Sequence, residues 1–192
     1  MNHLYPYADG PLLEERNTYF YSEFGGEAFL RAWAEARSWS TAATPVPPPA
    51  ALSRKLPEPD TPVDTAALLD GLYAAVANSQ ATAPACRHWL DLLVKKFEVT
   101  KRVHARYDGQ FRTTSPGQHS DFGLYLRAAE VFDAAYAATG RLPFLNALLK
   151  ILDTLNAYRA ELDDALTGRL AWLCVREREH VRTLAARNGV AL

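Results

Sequence analysis

Apolar residues recur at three- and four-residue spacing along most of this chain, and nowhere do they alternate with polar ones over the length of a strand. In residues 11–40, Phe29, Leu30, Trp33, Ala36 and Trp39 form one stripe. Pro11 suits a first helical turn, and Gly25-Gly26 divides the region into a short helix and a longer one. From Asp64, a residue type that caps helices, Leu68, Leu69, Leu72, Tyr73 and Val76 share a face. Pro84 opens a longer helix, expected to run to about residue 107, with Trp89, Leu92, Leu93, Phe97 and Val103 inward. Ser120 or Asp121 caps the next, which ends at Gly140. Pro143 starts another, with Phe144, Leu148, Ile151, Leu152, Leu155 and Leu162 at helical spacing as far as residue 166. Thr167-Gly168 separates it from a last helix that Asn188-Gly189 closes. The pattern predicts an all-α antiparallel bundle of about six or seven helices, because short connections such as "ATGRLP" force neighbours to run in opposite directions.

Residues 41–63, "TAATPVPPPAALSRKLPEPDTPV", break the periodicity. Seven of the twelve prolines lie here, and each lacks an N–H and fixes φ, so neither helix nor central strand persists. The stretch reads as an extended linker or a strap on the surface. It divides the chain into an aromatic-rich N-terminal helical arm (1–40), the Pro-rich stretch (41–63) and a helical core domain (64–192). The arm carries Tyr5, Tyr7, Tyr19, Phe20, Tyr21 and Phe24, side chains with an apolar body and a polar tip. They suit a contact with a protein partner or a second copy of the chain.

Composition changes this picture little. The chain is 48% hydrophobic and 22% charged, and 192 residues suffice for a core without disulfide or metal. A formal net charge of −1 gives no bulk attraction to nucleic acid or to a membrane. The first residues lack the basic-then-apolar order of a signal peptide, and no apolar run reaches the ~18 residues of a membrane span. A soluble, cytoplasmic protein is expected. Cys86 and Cys174 fall in apolar helical surroundings and read as buried thiols, although the sequence leaves a disulfide between them open.

The most distinctive segment is "HARYDGQFRTTSPGQHSDFGLY", residues 104–125, a polar, turn-rich connection between two amphipathic helices. Connections of that length inside a helical domain are uncommon and serve either function or solvation. It holds His104, Arg106, Tyr107, Asp108, Arg112, His119 and Asp121, and the preceding helix adds Lys95, Lys96, Lys101 and Arg102. Lys101, Arg102, Arg106, Tyr107 and Arg112 are therefore the candidate ligand-binding residues, suited to phosphate or carboxylate. His104, His119 and Asp121 offer two imidazoles and a carboxylate, either as acid–base groups or as a site for iron or zinc.

Other candidates are sparser. Glu177 and His180 lie one helical turn apart, as in the Glu-x-x-His step of carboxylate-bridged metal bundles. No second such step exists, however, and the neighbours Arg176, Arg178 and Arg182 suggest a charged surface face. Asn146, Lys150 and Asp153 share a stripe that borders the core, lines a pocket or forms an exposed salt-bridged face, so Lys150 and Asp153 join the catalytic candidates. No GxSxG elbow or Gly-rich phosphate loop is present. No cofactor is expected.

The segment "YLRAAEVFDAAYAATGRLPFLNALLKILDTL", residues 125–155 of 192, resembles one helical hairpin of the α/α-toroid type found in carbohydrate-active proteins. The shared order is a helix, a short TG-containing turn, and a helix with "LNA..K..D.L". The resemblance implies that Lys150 and Asp153 stand in a hairpin associated with a glycan or nucleotide-sugar pathway. It brings no catalytic carboxylate pair. The sequence as a whole is therefore read as a non-catalytic binding or accessory protein, of a bacterial biosynthetic pathway, that recognises an anionic ligand or acidic partner through residues 95–121. The alternative is a small helical enzyme acting on a sugar- or phosphate-containing anionic metabolite through His104, His119 and Asp121.

Overall fold

A computed structural model describes residues 43–51, 55–58, 61–100, 102–104 and 121–191, and the backbone of 106–107. The expected N-terminal helices and aromatic arm lie outside the described residues, as do Lys101, Arg112 and His119. The described part is mainly α, with five α-helices and a two-stranded ribbon of two residues per strand. Among the described residues no helix is long and apolar enough to cross a membrane.

Helix α1 spans Thr65–Ala77. Asp64 caps it as the sequence predicts, its Oδ1 accepting the Ala67 amide at 3.2 Å. The other end turns at Ser79, which adopts φ 61 so that the Gln80 amide can close on Ala75 O at 2.9 Å. Helix α2 spans Pro84–Thr100 and stops earlier than its apolar pattern suggests. Val103 is buried as expected, but from the chain beyond the helix. Past the helix end the backbone runs into a strand, β2 (Arg106–Tyr107), which pairs antiparallel with β1 (Val63–Asp64). The ribbon is absent from the sequence pattern because two residues cannot display an alternation.

Helix α3 spans Phe122–Thr139. Asp121 caps its start, Oδ1 accepting from Leu124 N at 3.1 Å, and Gly140 ends it at φ 68. Helix α4, Leu142–Ala157, follows after two residues and is buried on every face from Phe144 to Leu155. Of the readings open for Asn146, Lys150 and Asp153, that removes the exposed stripe: this helix has no exposed face over those turns, and all three are at most 3% exposed.

The boundary after α4 also differs from expectation. The helix ends at Ala157, Arg159–Glu161 form a single 3₁₀ turn, and helix α5 begins at Asp164, running to Arg187. Asp163 caps α5 by accepting from Leu166 N at 2.8 Å. Thr167-Gly168 is therefore inside α5 and not between helices. The glycine is there because of a close approach: Val46 N donates to Gly168 O at 3.0 Å, and a Cβ on Gly168 would stand 2.9 Å from Cγ2 of Val46. Leu162, expected inward on the preceding helix, falls in the linker and is half-buried.

The described residues form two compact units, one of 43–47 with 149–191, the other of 48–148. In the second unit α1 packs along α3. Leu69, Leu72, Trp89 and Phe97 fill its core with Phe132 and Phe144, the last two rings stacked with centroids 6.2 Å apart. Arg127 of α3 is nearly buried and holds three groups: Asp70 Oδ1 at 2.8 Å, Glu130 Oε2 at 2.9 Å and the Tyr73 ring at 4.3 Å. Its Nη1 also reaches Pro49 O at 3.5 Å. In the first unit, α5 turns Leu170, Leu173, Val181 and Leu184 inward.

Candidate functional site

The cationic region at mid-chain begins on the last two turns of α2. Lys95 is exposed and Lys96 half-buried, while Phe97 and Val94 face the core, as a 3.6-residue period requires. The helix is ended by the Thr100 side chain. Its hydroxyl donates to Lys96 O at 2.9 Å, so the oxygen is left to accept from the Arg102 amide at 3.3 Å and from His104 Nε2 at 3.0 Å. The His104 ring is 5% exposed. This candidate acid–base group therefore belongs to the network that turns the chain out of α2 and toward β2. Arg102, half-buried, leaves the same turn.

The two ends of the intervening segment are fixed within one unit. At one end the β1–β2 register sets Asp64 opposite Arg106 and Val63 opposite Tyr107. At the other, Asp121 is held by its capping bond to Leu124 N. A thirteen-residue segment, 108–120, connects them and lies outside the described residues.

Tyr125, on the first turn of α3, joins these ends. It is 2% exposed, and its hydroxyl oxygen is enclosed beside the Val103 backbone without an aligned hydrogen bond. Burial pushes its pKa above the ordinary phenol value. The Val103 amide and the Arg102 charge offset part of that, and the Asp121 carboxylate adds to it. Arg102 and Asp121, both singled out in the sequence, thus act on one buried hydroxyl. Tyr125 and Thr100 carry no sequence signal beyond residue type. The role of Tyr125 arises from chain reversal between α2 and α3, and that of Thr100 from local contacts within residues 96–104.

The remaining candidates lie in the first unit. Lys150, Asp153, Glu177 and His180 are each at most 8% exposed, and each has a polar or charged interaction partner. Burial of Glu177 and His180 corrects the expectation of a charged surface face. Their positions continue the apolar stripe of Leu170, Leu173, Cys174, Val181 and Leu184, and the flanking arginines point outward, Arg182 fully and Arg176 and Arg178 in part. Charges that leave water persist only when paired and hydrogen-bonded, which makes a structural polar core the first consequence of this burial. Among the described residues no three His, Cys, Asp or Glu side chains are placed to hold a metal ion. Cys86 and Cys174 are both buried as thiols and form no disulfide with each other.

No protein-family model, curated protein or solved structure matches the chain.

Proposed function

We propose that the chain is a cytoplasmic, non-catalytic binding or accessory protein that recognises an anionic ligand or an acidic protein partner through residues 95–121. The observation that carries the reading is the division of labour at the end of α2. Phe97, Val103 and His104 are buried, whereas Lys95, Lys96 and Arg102 keep solvent access beside a segment pinned at both ends. Cations held on a rigid support bind an anion with less ordering cost than cations on a free tail. Lys101, Arg106, Tyr107 and Arg112 complete the ligand-binding set. In this reading the arm of residues 1–40 adds the further helices of a six- or seven-helix bundle and the contact to a partner or second copy, and residues 41–63 act as its strap. The test is capture of partners by tagged protein compared with a Lys101→Glu/Arg102→Glu variant. Loss of the captured set with native circular dichroism is the expected result; an unchanged set refutes the reading.

A second reading, a small helical enzyme acting on an anionic metabolite, is supported by the enclosure of the Tyr125 hydroxyl beside Arg102 and Asp121. It keeps His104, His119 and Asp121 as acid–base groups or metal ligands. A His104→Asn/His119→Asn variant that folds and retains every turnover found for the wild type removes it.

A further inference from the structure

A concavity lies at the opposite end of α2, where its first turn meets the last turn of α1 and the 55–58 segment. These ends are separated by roughly 25 Å of helix. The cavity has a volume of about 500 Å³, within the range of small-molecule sites. Its apolar lining includes Ala74, Ala75, Ala83 and Ala85. One wall is the segment Lys55, Leu56, Pro57 and Glu58, which Trp89 fixes by donating from Nε1 to Pro57 O at 2.9 Å.

The polar lining carries charge of both signs. Lys55 and Glu58 are exposed, both line the space, and neither makes an ion pair with the other or with any described residue. The amide of Asn78 is oriented: Nδ2 donates to Ala74 O at 2.9 Å, which leaves Oδ1 as an acceptor. The Gln80 side chain adds a second amide. The opening turn of α2 contains no acidic residue, so its amide donors and the positive end of the helix dipole are not neutralised from within. The lining thus offers a cation and helix N–H donors together with a carboxylate and an amide oxygen.

We propose that this cavity binds a small zwitterion of the α-amino acid class, its carboxylate against Lys55 and the first turn of α2, its ammonium against Glu58 and Oδ1 of Asn78. The alanine lining takes the aliphatic part of the ligand. A ligand with only one charge leaves either Lys55 or Glu58 unanswered, and this is the basis of selectivity.

The test is titration of the ¹⁵N-labelled full chain with the protein amino acids, one at a time at millimolar concentration, read at the amides of Ala75, Asn78, Gln80 and Ala85. At least one amino acid is expected to give saturable shifts confined to that region, and its N-acetyl and carboxamide derivatives to bind at least about tenfold more weakly. Lys55→Gln and Glu58→Gln, both surface changes, are expected to weaken binding by a similar factor, and Ala85→Leu, at a half-buried position, to abolish it by filling the space, with the rest of the spectrum native. No shift from any amino acid overturns the proposal. So does equal binding of the singly charged derivatives, or unchanged affinity in both charge variants.

Discussion

Val46 Cγ2 stands where a side-chain carbon on Gly168 would have to go, only 2.9 Å away, and the Val46 amide bonds to the carbonyl of that same glycine. An irregular segment is thereby laid directly on the backbone of α5 inside one unit. Gly168→Ala gains about 1 kcal/mol of helix propensity but evicts Val46. Melting temperature should change by only a few degrees, while hydrogen exchange at the Val46 amide accelerates and proteolysis near residue 46 begins. Adding Val46→Ala should restore protection in part.

Arg127 is the polar centre of the other unit. Removing it takes a guanidinium from beside the Glu130 carboxylate, which is 0% exposed. Arg127→Met should cost about 3–5 kcal/mol in urea unfolding, and Glu130→Gln added to it should recover part of the loss. The tie to the half-exposed Asp70 is the smaller share, so Asp70→Asn alone should cost less than about 1 kcal/mol.

Burial pushes the Cys86 thiol from 9.0 up to about 11. A thiol with a pKa above its unfolded value holds its proton more tightly in the native state. Its contribution is whole below pH 9 and is lost as pH rises toward about 11, a swing of at most about 2.7 kcal/mol. Chemical denaturation across that window should show the decline, and Cys86→Ala should flatten it. Alkylation of Cys86 at neutral pH should be slow for the same reason.

The enclosed Tyr125 hydroxyl makes no aligned hydrogen bond, so Tyr125→Phe should leave stability within about 1 kcal/mol of wild type or raise it. The raised phenol pKa has the same sign of linkage as the thiol: stability it supplies below pH 10 is lost at higher pH, and the variant should lose that alkaline dependence. A large loss of stability in this variant would mean that the hydroxyl is better satisfied than its geometry indicates.

The helices, and four of their ends, were legible in the sequence because caps at Asp64, Asp121, Gly140 and Asn188-Gly189 coincide with the limits of apolar stripes. Gly168 misled, since a glycine can serve close packing as readily as it ends a helix. The buried charges of α4 and α5 were hidden by residue type. Lys150, Asp153, Glu177 and His180 occupy core positions by spacing, and only the spacing, taken over the type, reveals it. At the end of α2, the cations could be read in sequence, but not the Thr100 network, which follows from how the backbone leaves the helix, or the enclosure of Tyr125, which depends on contacts made after the chain reverses.

The account rests on a cationic surface at the end of α2 that recognises anions. An amide-shift titration of the full chain with polyglutamate at moderate ionic strength tests it most directly. Saturable shifts at Lys95, Lys96, Arg102 and Tyr125, abolished by Lys101→Glu/Arg102→Glu, are the predicted result. Shifts that are absent there, or that survive both charge reversals, contradict it.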